Sequence, residues 1–198
     1  MSRARGIDTN DASHVEPFPV DDVVASLRRD GVAAGLRLSP ATVDQLLNGG
    51  STERLIRDIA HSQRLVAVAQ AYLGAPPIVL TSRVFENDAG LAASPSFHFD
   101  VDDVLSLTFF VFLSDVDVES GSHQVIAGTH VPKSLRQIWS RQLEEADVRR
   151  RFAGRVRCIA GPRGTAWFED TKAYHRRGRV GRPRKVLSLH YSLRRRAL

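Results

Sequence analysis

The first half of the chain carries its apolar residues at helical spacing. Within residues 21–29, Val23 and Leu27 lie one turn apart, which predicts a short helix. Ser39 precedes Pro40 and can cap a second helix, because a Ser side chain accepts a hydrogen bond from the first turn. The elements predicted in this half are helices at 21–29, 40–48 and 51–72 and a strand at 32–38.

The second half has shorter apolar runs. They are rich in β-branched and aromatic residues and are bounded by Gly, Pro, Asp and Ser, which is typical of β-strands. Strands are predicted at 78–80, 105–113, 124–127, 156–160, 165–168 and 186–192. One helix, over residues 134–146, interrupts them. Many short strands in succession predict an antiparallel sandwich or jelly roll, so the expected fold class is mainly β with flanking helices.

Length and composition set the expected domain organisation. The 198 residues fit a single domain from 18 to 198, and residues 1–17 are polar without an apolar period, which predicts a disordered tail. Cys158 is the only cysteine, so no intramolecular disulfide is possible and we expect a reducing, cytoplasmic location. We also expect no membrane span and no secretory signal, because no apolar window has the required length.

The chain is basic, with a formal net charge of +6. Arginines cluster at 149–151, 176–185 and 194–196. A basic patch can bind nucleic acid, but no aromatic residues interleave with the first or last cluster, as a stacking platform for single strands requires. We therefore favour a solvated, Arg-rich surface over a nucleic-acid partner.

The triplet His98-Phe99-Asp100 and the distant His175 are the most informative residues. Two histidines and one carboxylate can occupy one face of an Fe(II) ion and leave positions open for substrate and oxygen. Phe97 and Phe99 alternate with His98 and Asp100. In an extended strand, both polar side chains would therefore face the same side.

Arg184 follows His175 by about ten residues, and its planar guanidinium can pair a carboxylate through two parallel hydrogen bonds. Such a residue suits a dicarboxylate co-substrate, 2-oxoglutarate. Arg182 is an alternative, because a strand places both arginines on one face. Asp170 either orients a ligand histidine or serves only as a turn residue.

Residues 97–192 resemble the phytanoyl-CoA dioxygenase family of Fe(II)/2-oxoglutarate oxygenases. FHFDVDD resembles the family's H-x-D strand. LTFFVFLSDVDVESGSHQVIAGTH resembles its long strand, acidic turn and P-G-[ST]-H element, with Ala127 in place of the usual Pro. GPRGTAWFEDTKAYH and RPRKVLSLHYS resemble the strand that ends at the distal His and the strand that begins with the 2-oxoglutarate Arg. The resemblance implies a double-stranded β-helix core, a cupin-like jelly roll.

The same resemblance implies the roles of individual residues. The positions that match the family's iron ligands are His98, Asp100 and His175. Arg184 matches the residue that binds the distal carboxylate of 2-oxoglutarate, Phe110 matches an aromatic beside the co-substrate, and Thr108 lies two residues away on the same face. The implied cofactor is Fe(II), with 2-oxoglutarate and O2 as co-substrates.

Other polar residues are expected to have different roles. Three histidines are expected to be structural or hydrogen-bonding: His123, His130 and His190. Three arginines are candidates for contact with the co-substrate or with an anionic group of the substrate: Arg176, Arg177 and Arg179. Five acidic residues either line an acidic mouth suited to a sugar or an amine or form turns that face water: Asp102, Asp103, Asp115, Asp117 and Glu119.

We therefore predict an Fe(II)- and 2-oxoglutarate-dependent oxygenase that hydroxylates or oxidatively cyclises a small polar metabolite of sugar or natural-product type. Asp100 favours these reactions over halogenation, because related halogenases lack the carboxylate. The alternatives are a nucleic-acid or protein side-chain oxygenase and a non-catalytic metal-binding jelly roll. Nucleic-acid dealkylating oxygenases have two Arg six residues apart after the distal His, but here His190 stands six residues after Arg184, so that alternative is less favoured.

Overall fold

Two five-stranded antiparallel sheets pack against each other, and helices cover the outer face of one sheet. The structure is a computed structural model that describes residues 14–49, 52–94, 96–101, 105–118 and 120–193. Its helices are α1 (Val20–Asp30), α2 (Pro40–Asn48), α3 (Thr52–Ala60), α4 (Gln63–Leu73), α5 (Leu135–Ser140) and α6 (Glu145–Arg151). Its strands are β1 (Val32–Arg37), β2 (Ile78–Asn87), β3 (Phe97–His98), β4 (Ser106–Phe112), β5 (His123–Ile126), β6 (Gln142–Leu143), β7 (Val156–Ile159), β8 (Thr165–Glu169), β9 (His175–Arg177) and β10 (Arg184–Ser192).

The strand order is that of a jelly roll. The major sheet has the order β1-β8-β4-β10-β2, and the minor sheet has the order β6-β3-β9-β5-β7. Neighbours in each sheet are antiparallel, and most are distant in sequence, as in double-sheet jelly rolls. The predicted fold class, mainly β with flanking helices around a jelly-roll core, is confirmed.

The major sheet has an apolar outer face and an inner face that contains the site. In β4, Leu107, Phe109 and Val111 belong to the large core cluster shared with helices α1 to α4. Thr108 and Phe110 alternate with them, so they point towards the minor sheet. Helices α1 to α4 therefore pack on the outer face of the major sheet. The inner face remains available to line the space between the two sheets.

The prediction of one continuous helix at 51–72 is wrong. The segment forms two helices, α3 and α4, because the chain turns at His61 and Ser62 between them. Ser62 is buried with extended backbone angles (φ −60°, ψ 139°), and His61 Nδ1 bonds the Arg57 carbonyl oxygen at 2.8 Å near the end of α3. The break lets α3 pack on β2 while α4 packs on α1 and β4. The Ser39 cap of α2 is confirmed, since its hydroxyl accepts from the Thr42 amide.

Two other predicted elements differ from the structure. The helix at 134–146 is two short helices, α5 and α6, separated by β6; Arg141 ends α5 in a left-handed conformation, and β6 then pairs with β3. The strand at 78–80 continues to Asn87. Three of the four added residues that line the cavity are polar, namely Thr81, Arg83 and Asn87, so this part lacks the apolar alternation of a core strand.

The predicted tail lies mostly outside the described residues, which begin at 14. Within residues 14–17, Val15 is 3% exposed and forms a bridge with Leu38. Val15 therefore packs in the core, although it belongs to the segment 1–17 for which the sequence predicts a disordered tail. No helix of the described part of the chain is long and apolar enough to cross a membrane.

Candidate metal centre and cavity

Three side chains converge between the sheets with the donor set of a metal site. His98 in β3 and His175 in β9 are direct cross-strand partners, and Asp100 follows two residues after His98. One potential ligand atom from each of the three lies within 4.8 Å of the others. His175 Nε2 is 3.8 Å from Asp100 Oδ2, and the two imidazole rings are 4.6 Å apart. This spacing allows all three to bind one ion.

The alternation predicted around His98 is present in the burial of its neighbours. Phe97 and Phe99 are buried, whereas His98 and Asp100 are half-buried on the other side. However, β3 ends at His98, so a strand ladder does not hold Asp100. The Asp100 amide instead donates to the Thr171 carbonyl oxygen at 2.9 Å. The loop before β9 therefore fixes the carboxylate beside His175.

Asp170 builds that loop, and of its two proposed roles the structure supports the turn. Its carboxylate accepts from the Tyr72 hydroxyl at 2.8 Å and from the Lys172 amide at 3.0 Å, and its own amide donates to Gly31. An Asp side chain that bonds the amide two residues on is typical of an Asx turn. Asp170 acts on the site through the position of Thr171.

The imidazole of His175 has a defined orientation. Its Nδ1 donates to the Ala173 carbonyl oxygen at 3.0 Å, which requires the proton on Nδ1 because a carbonyl only accepts. Nε2 is the nitrogen that faces Asp100. Burial, reinforced by His175, lowers the pKa of His98, while Asp100 acts against this shift. The neutral imidazole that binds metals is thus favoured at His98.

Glu169 lies behind His175 and was missed in the sequence. It is fully buried, accepts from His123 Nε2 at 2.7 Å and from Trp167 Nε1 at 3.1 Å, and places its other oxygen 3.5 Å from His175 Nδ1. Burial alone would raise the pKa of Glu169, but His123, His175 and Trp167 outweigh it and lower that pKa. The available signal was a carboxylate directly after the strand predicted at 165–168, two residues beyond Trp167 and therefore on the same face.

A cavity of about 390 Å³ opens beside these residues. All six predicted site residues line it: His98, Asp100, Thr108, Phe110, His175 and Arg184. Alternate residues of β2 and β10 form much of its wall, including Arg83, Phe85 and Val186. The sheet geometry explains this wall, because side chains two residues apart in a strand point to one face.

Arg184 and Arg182 differ clearly in position. Arg184 is buried at the start of β10, where it donates from Nε to Asn87 Oδ1 at 3.1 Å and from Nη1 to the Gly121 carbonyl oxygen. Burial, and then the charge of Arg177, lower its pKa to about 10. Arg182 is exposed and pairs with Asp117 away from the cavity lining.

Phe110 and Thr108 each have a defined contact. Phe110 stacks against Trp167 and His123, with ring centroids at 5.1 and 5.8 Å, and those two rings also contact each other. Thr108 Oγ1 lies 3.1 Å from His190 Nδ1. Both histidines therefore have the hydrogen-bonding environment expected of them, although both also line the cavity.

The remaining candidates are divided between surface and cavity. Arg176 points away from the cavity and Arg179 is exposed outside its described lining, whereas Arg177 lines it. Asp115 accepts from the Arg163 amide and also lies outside the described lining. Of the two alternatives for the acidic residues, the described members Asp115 and Asp117 therefore fit turns that face water; Asp102, Asp103 and Glu119 lie outside the described residues.

His130 lies outside the described lining of the cavity. Its ring packs against Gly31, where an added Cβ would come within 2.6 Å of Nδ1. Gly31 has φ 74°, a conformation that favours glycine, and it ends α1. This contact fits the structural role expected of His130.

No family model and no curated protein matches the chain. Among solved structures, AviO1 from Streptomyces viridochromogenes Tue57 is 16% identical with a TM-score of 0.65, over 89% of this chain and 96% of that chain. SnoN, a non-haem α-ketoglutarate-dependent epimerase from nogalamycin biosynthesis, is 19% identical with a TM-score of 0.63, over 87% and 82%. EctD from S. alaskensis, solved with 2-oxoglutarate and 5-hydroxyectoine, is 17% identical with a TM-score of 0.63, over 89% and 76%.

These similarities establish the fold. It is shared with non-haem α-ketoglutarate-dependent enzymes that include SnoN and a carbocyclase of the same pathway, SnoK. The narrower resemblance to phytanoyl-CoA dioxygenases stays a prediction.

Proposed function

We propose that the protein is an Fe(II)- and 2-oxoglutarate-dependent oxygenase that hydroxylates or oxidatively cyclises a small metabolite. One observation carries the proposal: the donor atoms of His98, Asp100 and His175 converge within 4.8 Å in a cavity that also contains the buried Arg184. Solved structures of the same fold include enzymes whose names state α-ketoglutarate dependence.

The donor set fits Fe(II). Two neutral imidazoles and one carboxylate are the ligands of non-haem iron sites that keep positions open for a co-substrate and oxygen. Nε2 of His175 is free to bind a metal, because the Ala173 carbonyl oxygen holds the proton on Nδ1. When bound, the iron supplies the oxidative chemistry, with 2-oxoglutarate as the electron donor that accompanies O2.

Arg184 is the residue that we assign to the far carboxylate of 2-oxoglutarate. Asn87 and Gly121 hold Nε and Nη1 in place, and other guanidinium N–H groups remain for a carboxylate. Anchoring by two partners reduces the side-chain entropy lost on binding. Exchange of Arg184 for Lys would therefore remove both the fork and its support.

The protein also excludes water and orients the substrate. Phe110, Trp167 and Val186 form an apolar part of the wall, and the cavity volume of about 390 Å³ lies within the range of about 300–1,000 Å³ typical of small-molecule sites. This space suits the co-substrate and a small molecule. Asp100 completes the ligand set and favours hydroxylation or cyclisation over halogenation.

The test is an anaerobic titration with Fe(II) and then with 2-oxoglutarate. Chelation of 2-oxoglutarate by protein-bound iron produces a weak visible charge-transfer absorption, which we expect at one equivalent. If iron binds but this absorption does not appear with excess 2-oxoglutarate, the proposed function is wrong. The Arg179→Gln variant, changed at an exposed position outside the described cavity lining, is the matched control.

A further inference from the structure

Arg177 faces the cavity because of its register in β9. His175 and Arg177 are two residues apart in this strand, so their side chains share one face, and both line the cavity. Arg176 between them points to the other side. There it pairs with Glu145 at 2.7 Å, bonds Gln124 at 2.8 Å and lies over the Phe97 ring at 4.2 Å.

Arg177 lacks the partners that its neighbour has. Its Nη1 is buried without a hydrogen-bond partner among the residues that the structure describes, and the ion pairs found within that part of the chain do not include it. A buried guanidinium N–H without a partner is costly, so such a group is expected to meet an acceptor when the site is filled. The acceptor has to come from outside the described protein residues.

The charges that line the cavity support the same conclusion. Its described lining contains three arginines, Arg83, Arg177 and Arg184, and one carboxylate, Asp100. This inference rests on the proposed function. In the loaded site, the positive charges of divalent iron and Arg184 equal the negative charges of Asp100 and dianionic 2-oxoglutarate, so these four groups together are neutral. The positive charges of Arg177 and Arg83 then remain for the substrate.

We propose that the substrate carries a carboxylate or phosphate group, and that Arg177 binds it. Arg177 determines specificity, since its planar fork matches either oxyanion through two parallel hydrogen bonds. It lies on the strand that carries His175, so the anionic group is anchored beside the metal centre. Among the described residues, the lining of the cavity is therefore predominantly cationic.

Arg83 is the second cation and lies at the rim. It belongs to the edge strand β2, opposite Ser188 of β10, and its side chain is largely exposed. An exposed charge is screened by salt. We therefore expect Arg83 to speed the association of an anion with the cavity and to contribute little to the affinity of the bound anion. Phe85, its neighbour on the same face, gives the rim an apolar surface for the uncharged part of the substrate.

The experiment uses inorganic phosphate as the probe. The protein is loaded with Mn(II) and 2-oxoglutarate, with protein in excess over metal, and the broadening of the phosphate 31P resonance by the paramagnetic ion is measured during titration. Acetate is titrated separately through its methyl resonance, so that the two arms distinguish a phosphate from a carboxylate preference. The variants are Arg177→Gln, Arg177→Lys and, as matched control, Arg179→Gln.

We expect saturable broadening with the wild type and with Arg179→Gln. Arg177→Gln should weaken binding of the anion by about tenfold or more, as for loss of a hydrogen bond to a charged group, and Arg177→Lys should restore part of it. The charge-transfer absorption of the Fe(II) and 2-oxoglutarate complex should be unchanged in every variant. That absorption shows that a variant is folded and that its co-substrate site is intact.

Three results would overturn the assignment. In the first, neither anion is broadened by the wild type although 2-oxoglutarate binds, so no anion site exists. In the second, Arg177→Gln leaves the broadening unchanged, so the anion binds elsewhere. In the third, the Arg177→Gln and Arg177→Lys variants unfold in urea at the same concentration as the wild type but lose 2-oxoglutarate binding, so Arg177 serves the co-substrate. A wild type that never binds 2-oxoglutarate refutes the proposed function instead, and this result is seen before any phosphate is added.

Discussion

Replacement of Glu169 by Gln changes the charge behind the candidate metal centre with almost no change in shape. One carboxylate oxygen accepts from both His123 Nε2 and Trp167 Nε1, at 2.7 and 3.1 Å. The other oxygen lies 3.5 Å from the protonated Nδ1 of His175. In the Gln variant one oxygen can still accept from the first two donors. The amide NH2 must then face the His175 N–H, so two donors oppose each other.

The magnitude follows from these contacts. Hydrogen bonds to a charged acceptor contribute roughly twice as much as neutral ones, so two bonds that lose their charge cost about 2–3 kcal/mol in the free energy of unfolding. The side chain is fully buried, so solvent screening does not reduce this value. Because an NH2 group then lies against the His175 N–H in place of a negative oxygen, the orientation of His175 is disturbed and metal affinity should fall by about 10–100-fold.

Urea unfolding at neutral pH measures the first effect, and titration with Fe(II) or Mn(II) measures the second. Glu86→Gln is the matched control, because Glu86 is exposed on β2 and pairs only with Lys185 among the described ion pairs. If Glu169→Gln and Glu86→Gln have the same unfolding free energy and metal affinity, then Glu169 neither stabilises the core nor orients His175. The reasoning above would then be wrong.

Three further predictions concern ligands, co-substrate and pH. Asp100→Ala should weaken Fe(II) binding by more than the roughly 10–100-fold expected of a residue outside the ligand set, and full 2-oxoglutarate turnover would remove Asp100 from that set. Arg184→Ala should raise the 2-oxoglutarate requirement by about 10–100-fold, whereas Arg182→Ala should not; the opposite result assigns the co-substrate to Arg182. Burial lowers the pKa of Lys133 from 10.5 to about 8, so the unfolded chain binds more protons between these values and stability should rise with pH across that window. Urea unfolding of Lys133→Met should lack this rise, and an unchanged slope would show that Lys133 is not its source.

Local patterns in the sequence were sufficient for the parts of the site that depend on neighbouring residues. Alternation of Phe97 and Phe99 with His98 and Asp100 predicted which side chains face the cavity. The apolar run of β4 predicted a strand. Since alternate side chains of a strand point to opposite faces, it also predicted that Thr108 and Phe110 share one face. These features are set by the two-residue period of a strand.

Features that depend on distant pairing were not predictable in this way. Glu169 meets His123 across 46 residues of sequence, and no local period indicates that contact. The choice between Arg184 and Arg182 depended on where β10 begins. Pro183 cannot donate to a strand ladder, so β10 begins at Arg184 and leaves Arg182 on the surface.

The position of the edge strand β2 bears on how the cavity can diverge in evolution. It is 10 residues long and contributes Thr81, Arg83 and Phe85 to the cavity, but none of the three candidate metal ligands. The candidate ligands come from β3, from the residue two positions after it, and from β9, in the opposite sheet. Mutations in β2 can therefore reshape the cavity wall while the three candidate metal ligands stay unchanged. Under the proposed function, a change of substrate would then need changes in only one short segment of the gene.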